Sequence, residues 1–220
     1  MVWTALDVLR LAIVALADEE PEGGTAPAAY LYGHTPDNET SLIKKGSELY
    51  NQEQIKEILI CGGGPYRAPG KPEAPIAYSG EHIWRHLLVR ECVQQKDITS
   101  IARPELSHTG TEAERLILYA KTQAWSDIFI VALPIHMPRA FANTVTQALR
   151  LYPSLRIWCK PGAVLPYADE AVSSQGMVLG ARLIQGIEAE FERWNAIWNN
   201  PLDIAPPEPI IEYLLTRRER

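Results

Sequence analysis

The segment DIFIVALPIHMPRA, Asp127–Ala140, joins a buried apolar run to a proline, a histidine and an arginine. Phe129–Leu133 is apolar and β-branched enough for a strand covered on both faces, the kind found in parallel sheets. Pro134 closes it. From Ala140-Phe141-Ala142-Asn143-Thr144-Val145 a helical pattern runs to about Leu151. His136 and Arg139 therefore fall where the carboxyl end of a strand meets the amino end of a helix. Open α/β sheets gather their ligands at that edge.

Outward from this motif, strands and helices alternate. Leu11–Ala17 reads as a first buried strand, Glu57–Cys61 as a second, Asp97–Ala102 as a third and Leu155–Cys159 as a fifth. Between and after them, helical spacing predicts Glu39–Asn51, Tyr78–Gln94, Thr111–Thr122, a long helix near Gly176–Asn199 and a short one at Ile210–Arg217. Ile83, Trp84, Leu87, Leu88 and Val93 are the expected buried side of the second of these helices. Eight of the 17 prolines cluster at Pro65–Pro75 and Pro201–Pro209, which predicts loops there. Such alternation implies right-handed βαβ units in one domain: a three-layer α/β fold with a mostly parallel five-stranded sheet and helices on both faces. In the long helix, Ile184, Ile187, Phe191, Trp194 and Trp198 recur at three and four. That seam either packs on the sheet or, at its Trp194–Trp198 end, meets a partner subunit in a homodimer.

Composition narrows the function classes. A chain of 220 residues, 46% hydrophobic and 22% charged, supports one full core. Its net charge of -6 argues against a nucleic-acid partner, which would call for a concentrated basic face. No stretch reaches the ~18 uninterrupted apolar residues of a membrane span. Leu9–Ala17 ends in an Ala-x-Ala-like step but lacks a basic n-region, and Asp7 and Arg10 interrupt it, so secretion is not expected. Cys61, Cys92 and Cys159 are odd in number and unpaired by spacing, which fits a reducing, cytoplasmic setting.

The runs EILICGGG, SGEHIWRHL, ELSHTGTEAERL and IVALPIHMPRA, in that order, resemble the YdcF/SanA/ElyC-like family of bacterial Rossmann-like proteins. The resemblance covers most of the chain, from about Leu11 to the long helix. The histidine–x–x–arginine after the fourth strand is its most specific element. Family members carry a glycine-rich turn after the first strand, where this reading has Ala17-Asp18-Glu19-Glu20. The resemblance implies strand order 3-2-1-4-5, which sets Asp18 and Glu19 across a crevice from His136 and Arg139. Gly62, Gly63, Gly64 and the Ser107–Glu112 turn then lie along the same rim.

Each group has a use there. Arg139 is the expected anion clamp and His136 the acid–base or orienting group. Gly62–Gly64 would point backbone amides at a ligand. Asp18 and Glu112 would be polar partners or ligands of a divalent ion. Ser107, Thr109 and Thr111 would hold a ligand oxygen or cap a helix, Thr111 forming a capping box with Glu114. Glu81 would meet the ligand or simply favour a helix start. Two rival motifs are weaker. Cys61 and Arg67, five residues apart, fit a thiol-phosphatase loop, but Ala68-Pro69-Gly70-Lys71-Pro72 is poor material for the helix that loop requires. His82 and His86 are spaced to share a zinc but lack a third ligand, so exposed histidines are expected.

The sequence thus points to a small-molecule ligand, phosphorylated or nucleotide-like, with an enzyme as the leading reading. Envelope metabolism is the context the resemblance implies. The alternative is a regulatory module that holds a nucleotide or S-adenosylmethionine without turnover. The acidic turn favours it, because carboxylates repel phosphate yet accept from ribose hydroxyls.

Overall fold

A computed structural model describes residues 4–67, 73–102, 108–173, 178–197 and 204–220. Five parallel strands form its sheet: β1 (Ala28–Leu31), β2 (Glu57–Cys61), β5 (Ile98–Ile101), β6 (Asp127–Ala132) and β7 (Arg156–Pro161), in the order β5-β2-β1-β6-β7. Counted along the parallel strands this is 3-2-1-4-5, with the switch point between β1 and β6. Two short antiparallel pairs, β3 (Tyr66–Arg67) with β4 (Ile76–Tyr78) and β8 (Ala171–Val172) with β9 (Val178–Leu179), lie outside the sheet. Neither was expected, since two- and three-residue strands carry no usable period.

Alternation along each strand divides the core in two. Tyr30, Tyr32, Ile128, Ile130 and Ile157 face α1 (Ala5–Leu16), α4 (Thr109–Thr122), α5 (Met137–Leu151) and α7 (Pro207–Thr216). Leu31, Ile58, Ile60, Phe129 and Val131 face α2 (Pro36–Asn51) and α3 (Glu81–Arg90). Helices on both faces bury the sheet twice over, as its unbroken apolar strands require.

One expectation fails outright. Leu11–Ala17 is not a strand: its residues to Leu16 belong to α1, and Ala17 caps that helix. Thr4 and Asp7 close a capping box at its start, Asp7 accepting from the Thr4 amide at 3.0 Å and donating its own amide to Thr4 Oγ1 at 3.2 Å. Leu11 and Ala15 are buried, while Leu6, Leu9 and Ile13 are more than half exposed. An apolar run on all sides of a helix imitates a buried strand, and the Leu/Ala content is the better guide. The first strand is Ala28–Leu31, so the turn at the switch point is Tyr32-Gly33-His34-Thr35.

Smaller differences are at ends. α2 and α4 begin earlier than predicted, α5 starts at Met137, and α3 is confined to Glu81–Arg90 with Tyr78 in β4. Trp84 and Leu88 are fully buried and Val93 nearly so, whereas Ile83 is exposed. The long helix, α6 (Arg182–Ile197), starts after β9. Trp194 is buried, but Ile187 and Phe191 are exposed; the side chains of Ile184 and Trp198 lie outside the described residues. Instead α6 buries Gly186, Ala189, Glu190 and Trp194. A β-carbon on Gly186 would stand 2.6 Å from Ile135 Cδ1, so glycine is what lets α6 press onto the turn after β6.

Candidate functional site

Beyond β6 the chain turns sharply. Leu133 O accepts from both the His136 and the Met137 amides, at 2.9 and 2.8 Å, and Pro138 occupies the first turn of α5, where a missing amide proton costs nothing. His136 is thereby fixed as the residue before the helix, 5% exposed. Its Nε2 lies 3.2 Å from Thr109 Oγ1, the first residue of α4. Its Nδ1 has no partner among the described residues. The ring meets those of Tyr32 and His34 edge-on, with centroids 5.8 and 6.1 Å away. Burial, reinforced by the Arg139 charge, pushes the imidazole pKa well below its ordinary value, so His136 is neutral.

Arg139 sits one turn into α5. Its Nη1 donates to Thr109 Oγ1 at 2.6 Å, so a single hydroxyl joins imidazole and guanidinium. Its other face is not the free clamp the sequence suggested. Nε and Nη2 grip Glu190 of α6 at 2.7 and 3.0 Å in a bidentate pair. Arg193, one turn further along α6, bonds the same carboxylate. Burial alone would raise the Glu190 pKa, but the Arg139 charge beside it wins and holds the carboxyl far below the usual range.

Across the switch point stands His34, in the turn after β1. The Thr35 amide donates to its Nδ1 at 2.9 Å, which makes Nδ1 the acceptor and leaves the proton of the neutral ring on Nε2. Burial lowers its pKa to about 4. With Asn38, Ser173, Arg182, Glu190 and Arg193 it lines a cavity of about 20 Å³ roofed by the β8–β9 pair and α6. Arg182 holds that roof down, donating to Asn38 Oδ1 at 2.9 Å and Pro166 O at 2.6 Å.

The remaining predicted residues separate into groups. Gly62, Gly63 and Glu81 line an open cleft of about 430 Å³ with Ser100 and Ala102, at the β2–β5 end of the same sheet edge. Gly62 approaches Ile101 O so closely that a β-carbon would lie 2.9 Å from it, and the Glu81 amide donates to Gly63 O at 3.0 Å. Gly64 follows them but does not line the cleft. Thr111 is a capping residue: it accepts from the His108 amide at 3.0 Å and donates to His108 O at 2.9 Å. The capping box with Glu114 does not form, because α4 begins two residues earlier than predicted. Glu112 is buried and accepts from Tyr30 Oη at 3.1 Å, tying α4 to β1. Ser107 lies outside the described residues.

Asp18 and Glu19 are not part of the crevice. Asp18 accepts from the Cys159 amide at 2.7 Å and from Arg217 Nη2 at 2.7 Å, on the outer edge of β7, and Glu19 pairs with Arg218. Only a first strand at Leu11–Ala17 would bring them to the switch point, and that segment is helical. The rival motifs do not gain. Arg67 lies in β3 and donates to Ala74 O rather than starting a helix, and His82 and His86 are exposed. Among the described residues no cluster of three or more His, Cys, Asp or Glu is placed to hold a metal ion, and no helix is long and apolar enough to cross a membrane.

His34, Glu190 and Arg193 were not foreseen. A signal existed for the first: an apolar run, then Gly33, then Pro36 at a helix start marks a strand-to-helix turn. For Glu190 and Arg193 there was none, since a Glu–x–x–Arg step on a helix ordinarily reads as a solvated pair. Compared with known proteins, the chain matches no family model and no curated protein.

Proposed function

We propose that this chain is a YdcF/SanA/ElyC-like protein and an enzyme that acts on a small phosphorylated or nucleotide-like molecule at the switch point, with His136 as the proton-transfer group. One observation carries the reading. His136 is buried at the carboxyl end of β6, neutral, bound through Nε2 to Thr109 and unbonded at Nδ1. A structural histidine normally satisfies both nitrogens, and a buried ring that leaves one open does so at a cost. Either tautomer leaves Nδ1 available, as a lone pair that takes a proton or as a donor that gives one. Arg139 and Glu190 orient the Thr109 hydroxyl and so fix the ring. The non-catalytic nucleotide or S-adenosylmethionine module loses its support, because the acidic turn that favoured it belongs to the β7 edge.

The test is a thermal-shift screen against nucleotides and sugar phosphates, followed by turnover assays of every compound that stabilises the protein. Expected are a stabilising compound that is turned over, and a His136→Ala variant that still binds it but reacts about 10²- to 10⁴-fold more slowly. Stabilisation without turnover by the wild type contradicts the enzyme. Full turnover by His136→Ala removes His136 from the chemistry.

A further inference from the structure

Two arginines converge on one carboxylate inside the fold, and this buried trio does not balance by itself. Arg139, Glu190 and Arg193 have side chains 12%, 7% and 11% exposed, so the trio carries one net positive charge largely out of water. The neighbouring histidines do not alter that sum, since His34 and His136 are buried and neutral. Arg182 adds a further positive charge on the roof, where its nearest carboxylate, Asp169, is 3.7 Å away and mostly exposed. Asp37, which accepts from the Val172 amide, and Glu192, which acts on Arg193, are further carboxylates here, and both are exposed to solvent. Among the described residues, two buried Arg193 donors, Nε and Nη2, also find no partner. A buried guanidinium that is neither charge-balanced nor fully hydrogen-bonded is costly, and the expected compensation is an anionic oxygen.

Arg193 lines the cavity beneath the β8–β9 pair, together with His34. The volume of about 20 Å³ exceeds the roughly 10–15 Å³ that one water-sized oxygen needs, so it has room for an oxygen atom. Because the Thr35 amide occupies His34 Nδ1, the His34 proton is on Nε2, a further donor among the lining residues.

We infer that this cavity is an oxyanion subsite in which Arg193 binds one oxygen of a ligand's phosphoryl or carboxylate group, while Glu190 keeps Arg139 engaged with Thr109 and His136. This deepens the proposed function by moving the anion-binding role from Arg139 to Arg193, and it rests on that reading only for the claim that the bound group belongs to a substrate. Glu190 sets the charge of the site: with it in place the trio accepts one negative charge rather than two.

Titration of the full chain with inorganic phosphate and, separately, acetate, followed by calorimetry, tests the subsite. The wild type is expected to bind at least one of them, and the tighter of the two identifies the head group. Arg193→Gln is expected to weaken that binding about tenfold or more, as loss of a charge-assisted contact should. Arg193→Lys, which keeps the charge but loses the fork, serves if the glutamine variant does not fold, and a several-fold weakening is expected there. His136→Ala should bind the anion as the wild type does. Wild-type affinity in both Arg193 variants would overturn the subsite. So would failure of the wild type to bind either anion, which would leave buried water only as the partner of Arg193. Loss of turnover in His136→Ala with anion binding kept supports both readings. Unaltered turnover in His136→Ala with anion binding lost in Arg193→Gln sinks the proposed enzyme and leaves the subsite standing.

Discussion

Two buried arginine–carboxylate assemblies, each brought in by the C-terminal part of the chain, stand at different edges of one sheet and do different work. At the outer edge of β7, Arg217 grips Asp18 bidentately at 2.9 and 2.7 Å and lies 3.8 Å over the Trp158 ring. Three of the strand's outward ladder groups are engaged: Ile157 N bonds Tyr213 Oη at 2.7 Å, Ile157 O accepts from Arg217 Nη1 at 2.8 Å, and Cys159 N bonds Asp18. One positive charge meets one negative charge, and an edge that would otherwise invite pairing with another strand is closed. At the switch point, two guanidiniums share Glu190, His136 Nδ1 is unbonded, and a cavity adjoins them. The balanced assembly is architecture. The unbalanced one is where a ligand has something to complete.

The largest effect should come from breaking the balanced pair. Asp18→Ala leaves Arg217, whose side chain is 4% exposed, without its counter-charge and uncovers Cys159 N. A loss of about 3–5 kcal/mol in urea unfolding is expected. A loss under about 1 kcal/mol would make the lock incidental.

Acid should act next, and on the switch point first. His34 titrates near 6.5 when unfolded and at about 4 when folded. Between those values the unfolded chain binds the extra proton, so stability falls as the pH falls through that window. A shift of that size is worth about 3 kcal/mol. His136 is displaced in the same direction. Glu190, held ionised in the fold, adds a further loss below its ordinary 4.5. Urea midpoints measured from pH 7 to 4 should decline, and His34→Asn should flatten the decline. A midpoint independent of pH over that range would contradict the neutral, buried histidines.

The smallest effect sharpens the contrast between buried and exposed pairs. Arg218 and Glu19 also join the tail to the segment after α1, but their side chains are 55% and 65% exposed. Arg218→Ala should cost less than about 1 kcal/mol, because water already screens that pair.

Most of the architecture was legible from hydrophobic period alone. Glu57–Cys61 was placed to the residue, and DIFIVALPIHMPRA located the switch point because a buried strand, a proline and a helix start leave little freedom there. The strand order came with the family resemblance. Leu11–Ala17 misled because its exposed apolar face, Ile13, Val14 and Leu16, is as hydrophobic as its buried one, and periodicity counts residues without knowing which side meets water. That error carried Asp18 into the candidate site and kept His34 out. The role of Arg139 was illegible for another reason. Its partner, Glu190, is on a helix whose expected stripe at Ile187 and Phe191 is exposed, and the face that is buried instead carries Gly186, Ala189, Glu190 and Trp194. Pairings between polar side chains distant in sequence leave no period to read.

The contrast between the two assemblies is tested most directly by phosphate binding isotherms for Asp18→Ala and Arg193→Gln, recorded with each variant's unfolding free energy. The expected result is a crossover: Asp18→Ala loses stability and keeps the wild-type phosphate affinity, whereas Arg193→Gln keeps most of its stability and loses about tenfold or more in affinity. Equal phosphate affinity in the two variants would contradict the division into a lock and a site.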